Sequence, residues 1–222
     1  MEAVVKYLYR FKGIKEFQMF TSFIENEEWK IGKQLMKDRV ELFKNRICFK
    51  KMKSDFLKKE LICWPLKDEE VISWIDTIML LKRIMDRIDD CFIADNLTIY
   101  SEFVIPYGNH LRADYLIVFD DIIIVLEFGM FNQDEKRSEE RYSKKLVEAM
   151  AYSQVLRNIL PKSINVFNYV MIYRPEYDLS TLDEMKENVG YNESEIRLIT
   201  QYILMVLKRS IDGKAQCQLE KF

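Results

Sequence analysis

Apolar positions recur along this chain with two different periods, and the switch between them marks out its elements. Residues 13–60 carry apolar side chains at helical intervals, among them Phe20, Phe23 and Ile24, then Leu35, Val40, Leu42, Phe43 and Ile47. That spacing predicts helices. Trp64-Pro65 interrupts it,. Asp68-Glu69-Glu70 then open a helix running to about residue 90, their charges suited to the positive N-terminal end of the dipole,. Val71, Ile72, Trp74, Ile75, Ile78, Met79, Leu81, Ile84 and Ile88 line it on more than one side, which predicts heavy burial,.

The pattern then turns extended. Leu97–Ile105 reads as a strand, and Ile105-Pro106-Tyr107-Gly108-Asn109 as a turn,. Two β-branched-rich runs follow, Arg112–Phe119 and Ile122–Gly129, joined by Asp120-Asp121. A long amphipathic helix from about Asp134 to Leu160 is stopped by Pro161, a strand runs from Ile164 to Tyr173, and Asn192-Glu193-Ser194-Glu195 resembles a capping box for a last helix ending near Arg209,. The order is helix, three antiparallel strands, helix, strand, helix, with extra helices in front. It predicts an α/β fold, a small mixed β-sheet flanked by helices, with a helical region over 1–65 and the sheet-bearing domain over 66–222.

With 222 residues, 49% of them hydrophobic, and only 6 Gly and 4 Pro, the chain can build a sizeable core and has no low-complexity linker,. Its formal charge of −2 does not announce a nucleic-acid binder,. The charge is uneven, because residues 1–60 hold 15 Lys/Arg against 9 Asp/Glu. Any contact with phosphates must therefore come from local patches. Neither a signal-peptide pattern nor an apolar run of the roughly 20 residues that span a bilayer is present, and the expected location is cytoplasmic. Cys48, Cys63, Cys91 and Cys217 lack CxxC spacing and the only histidine is His110. These facts argue against a zinc site and against chemistry that needs a catalytic histidine.

The hairpin carries the candidate chemistry. Equal steps outward from Asp120 and Asp121 bring Asp114 opposite Glu127, roughly 5 Å apart at Cβ if the register holds. Two like charges placed there destabilise a sheet unless something positive lies between them, and an oxygen-preferring divalent cation such as Mg²⁺ (or Mn²⁺) is the simplest candidate. On the following helix, at about 100° per residue, Lys145, Glu148 and Tyr152 form a polar stripe at the edge of the apolar face. Lys144 lies on the far side of Glu148, an i,i+4 neighbour.

Taken together, Glu102-Phe103-Val104-Ile105-Pro106, Arg112-Ala113-Asp114-Tyr115 and Val125-Leu126-Glu127-Phe128-Gly129, in a helix–β–β–β–helix–β order, resemble the PD-(D/E)XK nuclease superfamily with its restriction-endonuclease-like fold. The resemblance covers about residues 69–175. It implies that Asp114, Glu127 and the carbonyl of Phe128 hold Mg²⁺, which polarises a scissile phosphate and acidifies a water. It also implies supporting roles for Glu148, at a place that is Gln in related members, and for Tyr152. The chain departs from the motif at Gly129, where the family has lysine. Lys145 or Lys144 reaching in from the helix would replace it; otherwise the site is silent. The implied function is a metal-dependent nuclease acting on nucleic acid, DNA ahead of RNA, in bacterial defence or DNA processing. Its competitor is an inactive nuclease-like fold that binds nucleic acid or assembles with a partner protein or a second copy.

Four further features are ambiguous on sequence alone. Glu102 either adds a third acid to the site or, as the stronger expectation, lies exposed; alternation of strand faces does not place it. Arg112, two residues before Asp114, is expected on the same strand face, where it either binds phosphate or pairs with Asp114. His110 is expected in an exposed turn. Lys50, Lys51, Lys53, Lys58 and Lys59, with Lys30, Lys33 and Lys37 upstream, either track a phosphate backbone or form a solvated helix face.

Overall fold

The computed structural model describes residues 6–27, 29, 36–59, 61, 65–106, 111–130, 135–173, 175–176, 190–191, 193–210 and 215–220. It opens with a strand that the hydrophobic pattern did not announce, β1 (Tyr9–Lys12), followed by helices α1 (Gly13–Glu25), α2 (Met36–Phe43), α3 (Ile47–Lys58), α4 (Asp68–Met85) and α5 (Cys91–Asn96). Strands β2 (Thr98–Val104), β3 (Arg112–Phe119) and β4 (Ile122–Met130) form the expected meander. Helix α6 (Glu135–Ile159) crosses to β5 (Asn165–Tyr173); a small pair, β6 (Pro175–Glu176) and β7 (Gly190–Tyr191), precedes α7 (Glu193–Leu207) and α8 (Ala215–Leu219).

The main sheet has five strands in the order β1-β2-β3-β4-β5. The first three pairings are antiparallel and β4 with β5 is parallel, so the sheet is mixed. Parallel pairing requires a crossover, which α6 supplies. Strands β3 and β4 are buried along nearly their whole length because both faces are covered. One face, with Ile117, Ile124 and Leu126, packs on α1, α4 and α7; the other, with Leu116, Val118, Ile123 and Val125, packs on α6 and α8. Continuous apolar strands are what two-sided burial demands.

Helix α4 is as deeply buried as its apolar positions predict, and it buries a charge as well. Arg39 of α2 and Asp76 of α4 form a two-pronged ion pair at 2.5 and 2.7 Å, with Trp29 Nε1 donating to Asp76 at 3.1 Å. The first core runs without a break from Phe17 and Ile24 through Phe49 and Phe56 to Val71 and Ile75, so the N-terminal helices pack on the sheet-bearing part directly. Among the described residues no helix is long and apolar enough to cross a membrane.

Candidate active site

The turn between β3 and β4 fixes the site. Asp120 takes a left-handed φ of 47°, which closes a tight two-residue turn, and Tyr115 then pairs with Leu126 in the register counted from it,. The ladder ends there. One step further, side chains replace backbone. The Asp114 N–H donates to Glu127 Oε1 at 3.0 Å, and the Phe128 N–H donates to Asp114 Oδ2 at 2.8 Å. Each carboxylate thus closes a bond that the neighbouring strand no longer supplies, and both acids are held rigidly. The same bond turns the Phe128 backbone toward the acid pair, since N–H and C=O of one strand residue point to the same neighbour.

Lys145 sits between the two carboxylates. Its Nζ donates to Asp114 Oδ2 at 3.0 Å and to Glu127 Oε2 at 2.6 Å. Glu127 is fully buried, whereas Asp114 and Lys145 retain about a fifth of their side-chain exposure, 21% and 23%. Burial, then the Asp114 charge, pushes the Glu127 carboxyl well above the usual range, with Lys145 pulling it back. Burial would lower the Lys145 ammonium, but Asp114 and Glu127 outweigh it and hold the proton on. Glu148 stands 3.9 Å from Lys145 Nζ, and 3.9 Å from Lys144 Nζ. Lys144 itself is 79% exposed and points to solvent, so of the two lysines Lys145 is the one at the acids. Tyr152 is buried in the α6 core layer; burial, then Glu127 and Glu148, push its phenol upward.

Glu102 is the largest departure from expectation. It is buried, its φ is 51°, and it lies opposite Asp114 at the one step where the β2–β3 ladder is broken, between Ser101↔Tyr115 and Phe103↔Ala113. A left-handed residue inside a strand shifts the alternation of faces: Tyr100 and Phe103 fall on the same core, as do Leu116 and Ala113,. Arg112 is therefore not presented as simple alternation from Asp114 would have it. Its Nε pairs with Glu102 Oε2 at 2.6 Å, and its guanidinium stacks on Phe56 and Trp74 of the opposite layer, 5.0 and 5.6 Å from the ring centres. Burial pushes the Glu102 carboxyl up to about 8, only partly opposed by Arg112.

These groups surround a cleft of about 340 Å³ at the end of the sheet, lined by Glu70, Glu102, Arg112, Asp114, Arg141 and Lys145 among others. Three carboxylates, Glu102, Asp114 and Glu127, thus stand in register across β2, β3 and β4. Glu70, from the first turn of α4, adds a fourth at the rim, with a buried Oε2 that has no hydrogen-bond partner among the described residues. Sequence reasoning missed Glu70 and Arg141. Glu70 carries no signal beyond helix-start acidity.

The acid pair suits a hard divalent cation: two carboxylates are what Mg²⁺ takes from a protein when water and phosphate complete its shell. Among the described residues, no group of three or more Asp, Glu, His or Cys side chains is placed to hold a metal ion together. Part of the basic cluster of the N-terminal helices is paired within the chain. Lys51 pairs with Asp55, Lys53 with Asp68, and Lys59 donates to the Leu8 carbonyl. Lys30 and Lys33 lie outside the described residues, as does His110. Models of known protein families, characterised proteins and solved structures give no match to the chain.

Proposed function

We propose that this protein is a metal-dependent hydrolase of phosphodiester bonds in nucleic acid, with the PD-(D/E)XK arrangement displaced by one element. The observation that carries the reading is the Lys145 ammonium seated between two opposed carboxylates at the mouth of a cleft. Opposed acids on adjacent strands, at a broken ladder, destabilise the sheet they belong to. An arrangement of that kind is retained at sites where charge must be concentrated.

In this reading Asp114, Glu127 and the Phe128 carbonyl would hold Mg²⁺ or Mn²⁺, which would polarise a phosphoryl oxygen and acidify a water. The chain's own residues do the rest. Asp114 and Glu127 are pre-oriented by the two backbone N–H donors, and Lys145 would move off the oxygens it now bridges as an ion enters,. Lys145, coming from α6 where the motif lysine would come from β4, supplies the positive charge beside the reacting phosphate. Glu148 limits the swing of that lysine, and Tyr152 packs the helix against the sheet beneath it.

Incubation with linear and circular DNA and with RNA, in Mg²⁺ or Mn²⁺ against EDTA, tests the reading. Cleavage that requires metal and is lost in Asp114→Ala and Glu127→Ala is expected. A second reading, a silent nuclease-like module, draws on the fact that Lys145 already neutralises both acids. Binding of nucleic acid without cleavage, unchanged in both variants, would establish it and end the first.

A further inference from the structure

We propose that Arg141 is the phosphate-binding residue of the cleft, lodged in the space that Gly129 leaves on the strand. The inference rests on the phosphodiester reading and names the group that would contact the substrate. Gly129 is buried in β4, and a Cβ built there would stand 2.5 Å from Ile172 Cδ1, 3.2 Å from Arg141 Cδ and 3.3 Å from Arg141 Cγ. The stem of Arg141 therefore lies across the strand where a side chain at 129 would begin. A side chain at 129 would press on the Arg141 stem and displace it.

The guanidinium is placed but not consumed. Its Nη1 donates to the Met130 carbonyl, which anchors one arm at the cleft rim. A guanidinium carries five N–H donors in a planar fork. Among the described residues Arg141 is in no ion pair with a carboxylate, whereas the cleft's other two cations are committed, Arg112 to Glu102 and Lys145 to Asp114 and Glu127. An arginine that lines the cleft, fixed by one donor and with the others uncommitted to any carboxylate of the described residues, is matched to a tetrahedral oxyanion, which it would grip by two parallel bonds,. The ligand class is a phosphodiester of a nucleic-acid strand. A free phosphate offers the same oxygens without the chain, and the probes below separate the two.

Binding is measured by fluorescence anisotropy, with single-stranded DNA and RNA oligonucleotides made nuclease-resistant by phosphorothioate linkages, in Ca²⁺. Inorganic phosphate serves as competitor. Arg141→Ala is expected to weaken oligonucleotide binding about 10- to 100-fold, as loss of charge-assisted bonds implies, with Arg141→Lys recovering part of it. The slope of log affinity against log salt should fall by about 0.7 for a single strand, one phosphate contact fewer. A purely structural role would not move that slope. Gly129→Ala combined with Ile172→Val removes the nearest obstruction, Ile172 Cδ1, yet still presses on the Arg141 stem, so binding should fall with the charge intact. Strong competition by inorganic phosphate at low millimolar concentration would assign the site to free phosphate and overturn the strand-binding claim. If Arg141→Ala binds as the wild type does while the wild type cleaves, the proposal is wrong and the hydrolase reading stands. If binding depends on Arg141 but no metal supports cleavage, the phosphate site stands and the hydrolase reading fails. A wild-type protein that binds no oligonucleotide overturns both.

Discussion

Replacing Lys145 with Met keeps the aliphatic stem and removes the ammonium that separates Asp114 from Glu127. Glu127 is then a fully buried carboxylate beside another, and the least costly response is to take up a proton,. At pH 7 that costs at most the free energy of protonating a group whose ordinary value is 4.5. Over about 2.5 pH units, at 1.36 kcal/mol each, the ceiling is about 3 kcal/mol. Burial and Asp114 already push Glu127 upward in the wild type, so part of this cost is present before the substitution, and a loss of about 1–3 kcal/mol is expected,. For a chain of this size that lowers Tm by about 2–12 °C. The sign of the pH dependence follows from linkage. The raised folded value means that the unfolded chain releases this proton first, so stability falls as pH rises above about 4.5. The variant holds its proton to higher pH than the wild type, so the gap between them closes in acid and widens toward alkaline pH. Urea denaturation in EDTA at several values between about pH 5 and pH 8 reads both quantities. A gap that is the same at both ends of that range would show that the ammonium is not what keeps Glu127 ionised, and the account of the site would fail with it.

Three other perturbations probe independent parts of the structure. Glu102, held near 8 by burial, gives a stability contribution that is complete below its unfolded value and is lost as pH rises toward 8; Glu102→Gln should flatten that stretch of the stability–pH curve, and an unchanged curve would refute the assignment,. Arg39→Met strands Asp76, a fully buried carboxylate, and should cost about 3–5 kcal/mol by thermal unfolding, whereas a loss below about 1 kcal/mol would mean that the pair is not what closes α2 on α4,. Gly129→Lys, which would put a lysine on β4 two residues after Glu127, should destabilise by about 1–3 kcal/mol through overpacking against Ile172 and, under the proposed function, should reduce cleavage by displacing Arg141; increased cleavage would contradict a cation supplied from α6,.

What was legible in the sequence was local and periodic. The two-residue turn set the β3–β4 register, and the acids in the first turn of α4 marked its start. Strand β1 was not legible: Tyr9-Arg10-Phe11-Lys12 alternates, but four residues cannot be told from a loop without the partner β2 that they pair with,. The burial of Glu102 was not legible because no pattern announces the left-handed residue that breaks the β2–β3 ladder there, and alternation from Asp114 to Arg112 does not hold across that break. The basic residues of α3 were open to either a phosphate track or a solvated face, because sequence does not show that Asp68 folds back onto Lys53.

The place of the cations on α6 has a geometric cause that could have been read in advance. A helix rises 1.5 Å per residue and a strand about 3.3 Å, so four residues of helix cover the same length as two of strand. Helix α6 returns along β4 in the opposite sense, as a crossover to a parallel strand must. Stepping back from Gly129 to Glu127 to Val125 on the strand therefore corresponds to stepping forward from Arg141 to Lys145 to Ala149 on the helix. The observed contacts follow that correspondence: Arg141 lies on Gly129, Lys145 on Glu127, and Ala149 is buried where the strand turns apolar. A side chain at residue 129 would meet Ile172 first and the Arg141 stem next, and Arg141 and Lys145 are basic at one helical spacing. The bare strand position and the two helix cations are one arrangement: positive charge at this end of β4 is carried by the helix packed over it, where the strand has only a glycine.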